Sequence, residues 1–220
     1  MYTFDFSWLP ENFPRLIQGV ILSITLMLVI APACFVIGII AGQMRMSRWR
    51  VLRIISAVYV DLFRTTPVLV QLAIFFFVLP IYFPAARFDA FAAGCVALSL
   101  NYGAFFAEVF RAGVVSLGRL QEEAAMALGM TRFQAARRII YPQAIRRMMP
   151  PIGSMFVSLL KDTSLVSVIG VAELMNTAQN IGAVTFRNLE VLLVVAGLYV
   201  VMTYPIALWA SWMHRRIEPR

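Results

Sequence analysis

The sequence predicts an all-α integral membrane protein with five transmembrane helices, its N-terminus outside and its C-terminus in the cytoplasm. Hydrophobic residues make up 61% of the 220 positions and charged residues only 14%, where a soluble domain carries about 25% charged residues. Five stretches are apolar over the length a bilayer requires, about 20 residues. The arginines behind the net charge of +8 gather in loops beside these stretches. That segregation is the signature of membrane topology rather than of a nucleic-acid-binding face.

The first span, residues 17–42, is uncharged and contains Pro32, which a membrane helix tolerates when neighbouring groups satisfy the freed carbonyl. Its Gly38 and Gly42 form a small-xxx-small pattern that permits close helix contact. Arg45, Arg48, Arg50 and Arg53 follow in a basic interfacial stretch. The second span, 54–83, is interrupted by Asp61–Pro67. Asp61 and Arg64 are spaced to pair on a helix, Thr65 or Thr66 is placed to cap, and Pro67 suits a first helical position. The chain is expected to bend or restart there. The third span, 88–114, carries Asn101 near its middle and Glu108 and Arg111 toward its end. The fourth, 150–173, opens on Pro150-Pro151 and has Lys161-Asp162-Thr163-Ser164 at its middle. Residues 173–190 are too polar to span. The fifth, 189–213, ends in His214-Arg215-Arg216.

Arginines are dense between spans one and two, between spans three and four, and in the tail that ends at Arg220, which orients the chain. The N-terminus has no basic region or small-residue cleavage site and is expected not to be a cleaved signal. Cys34 and Cys95 each lie inside an apolar span without metal or redox spacing, so no metal site is expected.

The long polar segment, 116–142, is read as cytoplasmic. Leu120, Ala124, Ala125 and Leu128 form one apolar stripe at helical spacing. Glu122 and Glu123 fall in a first turn, where negative charge suits the helix dipole. Gly129 is placed as a left-handed C-terminal cap. Thr131 with Gln134 makes a capping box that starts a second helix, which Pro142 ends. A helix stopped by glycine and followed at once by another makes a compact knob; an interfacial helix lying on lipid is the alternative.

Ionisable residues at membrane depth are functional candidates by default. Two readings of Asp61, Arg64, Glu108, Arg111, Lys161 and Asp162 stand side by side. In one they are structural ion pairs: Asp61 with Arg64, Glu108 with Arg111, Lys161 with Asp162 or another carboxylate. In the other, Glu108, Asp162, Asn101 and Ser164 line a polar path for a small hydrophilic solute.

The run EAAMALGMTRFQAARRIIYP resembles the loop signature of the membrane (permease) subunits of bacterial ATP-binding-cassette importers, through Glu123, Ala124, Ala125, Gly129, Ile139 and Pro142. Tyr141 stands where leucine is usual. FRTTPVLVQL, YGAFFAEVFRAGV and LLKDTSLVSVIGVAEL resemble the polar amino-acid branch (histidine, glutamine, arginine, cystine, opines), with Thr65 in place of a usual glycine.

The resemblance implies a type I importer permease fold, with residues 1–220 forming one transmembrane domain. It makes the first helix of the polar loop a coupling helix seated in a groove of a cytoplasmic ATPase subunit. Gln121, Glu122, Glu123, Ala124, Ala125, Leu128, Gly129 and Pro142 would carry that contact. It implies two ATPase subunits, a second membrane subunit (a copy or a paralogue), an external solute-binding protein, an amino-acid substrate, surrounding lipid and no nucleic acid. The chain has no Gly-rich phosphate loop. It is therefore expected to be no enzyme and to bind no cofactor, with ATP and magnesium held by the partner ATPase. A carrier acting alone by ion coupling, with Glu108 and Asp162 as relay, is the rival reading. A non-transporting anchor is a third.

Overall fold

The computed structural model describes residues 3–217. Arg220 lies outside the described residues, and the side chains of Arg119 and Leu120 lie outside those described. The elements are α1 (Leu9–Arg45), α2 (Arg50–Thr65), α3 (Val68–Ala73), α4 (Leu79–Tyr82), α5 (Ala90–Val115), α6 (Gly118–Ala127), α7 (Arg132–Ala135), α8 (Tyr141–Asp162), α9 (Leu174–Thr185) and α10 (Asn188–Ile217). Among the described residues there is no strand. Four helical segments, Leu9–Arg45, Ala90–Val115, Arg132–Ile169 and Asn188–Arg216, are long and apolar enough to cross a membrane. Arg50–Thr65 with Val68–Tyr82 makes a fifth if that pair, bent by 106° at its break, counts as one span.

Three boundaries differ from the sequence expectation. First, α1 starts at Leu9 and runs for 37 residues, about 55 Å at the helical rise, well beyond the ~30 Å hydrocarbon layer. Its first turns are held because Trp8 and Leu16 are buried against Leu174, Ala178, Ile181, Val191 and Val195. Second, Pro142 does not end a helix, and Pro150-Pro151 do not begin one. All three lie inside α8, and α7 runs into α8 through a π turn at Ala136–Ile140. A second π turn, Ile74–Val78, joins α3 to α4 just before Pro80. A proline ring clashes with the preceding helical turn, and a wider turn immediately before it relieves the clash without stopping the helix.

Third, the helix closes at Asp162, and Thr163–Ile169 continue as a 3-10 turn that Gly170 ends at φ 86°. The Lys161–Ser164 run therefore lies where α-helix changes to 3-10 helix within the segment Arg132–Ile169.

The restart at Pro67 also differs in detail. Pro67 occupies the N-cap position of α3 in an extended conformation and no side chain caps the helix. Instead the Gln71 amide donates to the Thr66 carbonyl at 3.1 Å and to its hydroxyl at 2.6 Å.

The chain forms two compact units. One comprises residues up to Pro32, Thr66–Ser99 and Phe156–Ile206; the other comprises Ala33–Thr65, Leu100–Met155 and residues from Ala207 on. The first is built on the Trp8–Leu174–Val191 core. In the second, Ala41, Val60, Ala104 and Ala107 form the core, with Tyr59 and Phe63 packed on it. There the glycines of α1 do what the small-xxx-small pattern predicts. A β-carbon on Gly38 would lie 2.9 Å from the Gly103 carbonyl oxygen and overlap the Phe106 ring. One on Gly42 would lie 3.0 Å from the Ala107 carbonyl oxygen and 2.7 Å from Phe110. Only glycine lets α1 and α5 approach this closely.

Gly38→Ala must push the two backbones apart, and the expected cost is about 1–3 kcal/mol. A lower midpoint of thermal unfolding in detergent reads it. Gly197, which has nothing within 4 Å of its virtual β-carbon, provides the control: Gly197→Ala should leave the midpoint unchanged or raise it.

Candidate functional site

The polar loop folds as its local chemistry dictates. The last turn of α6 is closed by the Gly129 amide donating to the Met126 carbonyl at 2.9 Å and the Met130 amide to the Ala125 carbonyl at 3.1 Å. These are the two bonds of a Schellman cap. Gly129 adopts φ 82°, the left-handed conformation that glycine enters without strain. Two residues later the capping box is present in both directions. The Gln134 amide donates to the Thr131 hydroxyl at 3.3 Å, and the Thr131 amide donates to the Gln134 side chain at 2.9 Å.

Side chains then lock the knob to α8. Gln143 donates to Gln121 at 2.8 Å, and Arg147 donates to the Ser116 carbonyl at 2.8 Å. Glu122 pairs with Arg132 at 3.8 Å. Of the apolar stripe, Ala125 is buried, whereas Ala124 and Leu128 face outward, as do Glu123 and the Phe133 ring. Leu128 is 81% exposed. A helix capped at its C-terminal end, followed at once by one capped at its start, thus displays small and apolar side chains in a segment otherwise rich in arginine.

The ionisable residues of the second unit pair differently from the sequence expectation. Asp61 is reached by Arg45 at 3.4 Å rather than by Arg64. Arg45 also lies 3.7 Å from Glu108, which is hydrogen-bonded to Arg111. Arg64 makes no ion pair among the described residues; its guanidinium lies over the Phe105 ring, 5.5 Å from the centroid. An aromatic face is an alternative partner for a cation.

Asn101 is buried, and its amide donates to the Phe63 carbonyl at 2.9 Å. Pro67 has no amide hydrogen, so it cannot make the helical bond to that carbonyl four residues back. Asn101 supplies the donor that the proline withholds.

In the first unit, Asp162 and Ser164 are half-buried at the end of α8, and the Ser164 carbonyl accepts from the Ser167 hydroxyl at 2.6 Å. Lys161 is exposed and makes no ion pair among the described residues, so the expected Lys161–Asp162 pair is absent. Glu173, which the sequence reading treats only as a boundary, is fully buried. It caps α9 by accepting from the Asn176 amide at 2.8 Å, and it accepts from the hydroxyls of Ser23 at 3.2 Å and Tyr199 at 3.1 Å. An acid directly before an apolar helical run was the available signal. Outside the spans, Asp5 pairs with Arg187 at 3.3 Å. The Ser7 amide and the Ser7 hydroxyl, and least of all the Arg187 charge, hold its carboxyl below the usual range against the opposing effect of burial.

A knob closed by its own glycine cap, together with helices long and apolar enough to cross a membrane, defines a membrane protein with a folded polar loop. The chain belongs to the family described as binding-protein-dependent transport system inner membrane component, whose model matches residues 34–220. It is 37% identical over 217 residues to the glutamine transport system permease protein GlnP of Escherichia coli (strain K12), covering 99% of this chain and 97% of that protein. It is 38% identical over 209 residues to the L-cystine transport system permease protein TcyB of Bacillus subtilis (strain 168), covering 93% and 87%. A solved structure described as an amino acid ABC transporter with histidines superposes with a TM-score of 0.91 at 35% identity, covering 98% of this chain and 100% of that one.

Asn101→Leu keeps the volume and removes the donor to Phe63. The expected loss is about 1–3 kcal/mol of stability, read as a lower denaturation midpoint of the detergent-solubilised chain. An unchanged midpoint would return Asn101 to the list of solute contacts.

Proposed function

We propose that this chain is the permease subunit of an ATP-driven importer of a polar or charged amino acid. The observation that carries the reading is the exposed, glycine-capped helix α6, supported by the whole-chain likeness to amino-acid permeases. In this reading the bent pair α2 to α4 is one span, giving five, with the N-terminus outside and residues 116–142 in the cytoplasm of a bacterial cell. α6 seats in a groove of a separate ATPase subunit through Gln121, Glu122, Glu123, Ala124, Ala125, Leu128 and Gly129. Pro142, inside α8, helps to set the direction in which the knob leaves the helix. ATP and magnesium belong to that partner and this chain needs no cofactor. A second membrane subunit completes the pore, and an external binding protein delivers the solute. ATP-driven closure of the ATPase pair draws the knobs together, and the bundles switch the solute site from one side of the membrane to the other.

Of the four path candidates, Glu108 is engaged by Arg45 and Arg111, and Asn101 supports the Phe63 carbonyl. In this reading Asp162, with Ser164 beside it, contacts the solute.

Because Leu128 is exposed, Leu128→Glu leaves the fold intact. The expected result is loss of ATPase-coupled uptake in vesicles together with loss of the co-purifying ATPase subunit. Retention of both would sink the lever, and uptake by the chain without any ATPase would favour the lone ion-coupled carrier. Asp162→Asn should lower uptake of the solute at least tenfold, as expected for one hydrogen bond to a charged group worth about 1.5–3 kcal/mol, while the subunits still assemble. Equal loss of assembly would make Asp162 structural.

A further inference from the structure

The basic turn between α1 and α2 is not used by the transport reading. α1 ends at Arg45 and α2 begins at Arg50. The turn is fixed by the Met46 amide donating to the Gln43 carbonyl and the Ser47 amide to the Met44 carbonyl, both at 3.1 Å. The Trp49 amide adds a bond to the Ser47 hydroxyl at 3.2 Å. Arg45 is engaged by Asp61 and Glu108. Arg48, Arg50 and Arg53 are all exposed and make no ion pair among the described residues. Between them Trp49 stands 74% exposed.

α2 carries two apolar faces. One is packed: Val60 is in the core of the second unit, and the Ser56 hydroxyl donates to the Ala41 carbonyl at 2.6 Å. The other is an exposed stripe of Val51, Ile54, Ile55, Val58 and Leu62, spaced i, i+3, i+4, i+7, i+11, as one face of a helix requires. From Val51 to Leu62 the stripe runs ~16 Å at the helical rise. Half of a ~30 Å hydrocarbon layer is about the same length.

We propose that this surface is a binding site for an acidic phospholipid of the bilayer. An acyl chain lies along the Val51–Leu62 stripe. The phosphate meets the guanidiniums of Arg48, Arg50 and Arg53, whose fork geometry suits phosphate oxygens. Trp49 sits at headgroup level, where an indole ring is favoured. A zwitterionic lipid brings no net charge to three uncompensated cations, so the site selects an anionic one. An acidic protein partner would answer the arginines but not an apolar stripe of one leaflet's depth.

The inference rests on the permease reading only in that the chain is embedded in a bilayer. Its test involves no transport, so its failure would leave that reading untouched. The full chain is placed in nanodiscs of phosphatidylcholine containing a tenth part of either phosphatidylglycerol or phosphatidylcholine with brominated tails. Quenching at Trp49 is taken as the difference between the wild type and Trp49→Phe. Bromine on phosphatidylglycerol should quench Trp49 several-fold more than bromine on phosphatidylcholine. The combined R48Q, R50Q and R53Q substitutions, all at exposed positions, should make the two equal. Equal quenching in the wild type, or a preference that survives the triple substitution, would overturn the site.

Discussion

Within a bilayer no water is available to a stray backbone amide or carbonyl, so every one must find its partner inside the protein. The rest of this structure follows from that demand. At two interruptions of the helical ladder, polar side chains substitute for the missing backbone groups. At Pro67 the interruption is sharpest, and two side chains answer it. Asn101 donates to the Phe63 carbonyl and Gln71 to the Thr66 carbonyl. At the start of α9, Glu173 takes up the Asn176 amide and draws in the hydroxyls of Ser23 and Tyr199. A chain with so few polar residues places them where the backbone would otherwise be left unpaired.

Two of the prolines are accommodated by another route. Pro80 and Pro142 each follow a π turn, Ile74–Val78 and Ala136–Ile140. The wider turn absorbs both the missing hydrogen bond and the ring, so the helix bends its ladder instead of ending. For the knob this matters mechanically. α7 and α8 remain joined through the Ala136–Ile140 turn, and the Gln143–Gln121 and Arg147–Ser116 bonds tie α8 back to the entry of α6. α6 is thereby tied to a helix of 22 residues rather than to a loop.

What was legible in the sequence was local. The Gly129 cap and the Thr131–Gln134 box are set by residues within one turn of each other, and both form as the spacing dictates. The apolar lengths of α5 and α10 are likewise a property of continuous stretches. What the sequence could not resolve depends on groups far apart in the chain. Asp61 and Arg64 have ideal helical spacing, yet Arg45 reaches Asp61 and Arg64 turns to Phe105. Close packing of α1 on α5 through Gly38 and Gly42 brings α1's last residue to that end of the bundle. Pro142 looked like a stop because a π turn leaves no mark in composition. Glu173 looked like a loop residue because the partners that bury it, Ser23 and Tyr199, are 150 and 26 positions away.

The same pairings bear on where a solute finds charge. Arg45, Arg111, Asp61 and Glu108 make a cluster whose formal charges cancel, and a cancelled cluster exerts little pull on an approaching ion. Asp162 lies outside that cluster, half-buried where α8 passes into the 3-10 turn Thr163–Ile169. Adjacent Lys161 points outward and makes no ion pair among the described residues. An amino acid carries a cation on its ammonium group, and in the reading we propose Asp162, outside that cancelled cluster, is the carboxylate offered to it rather than Glu108.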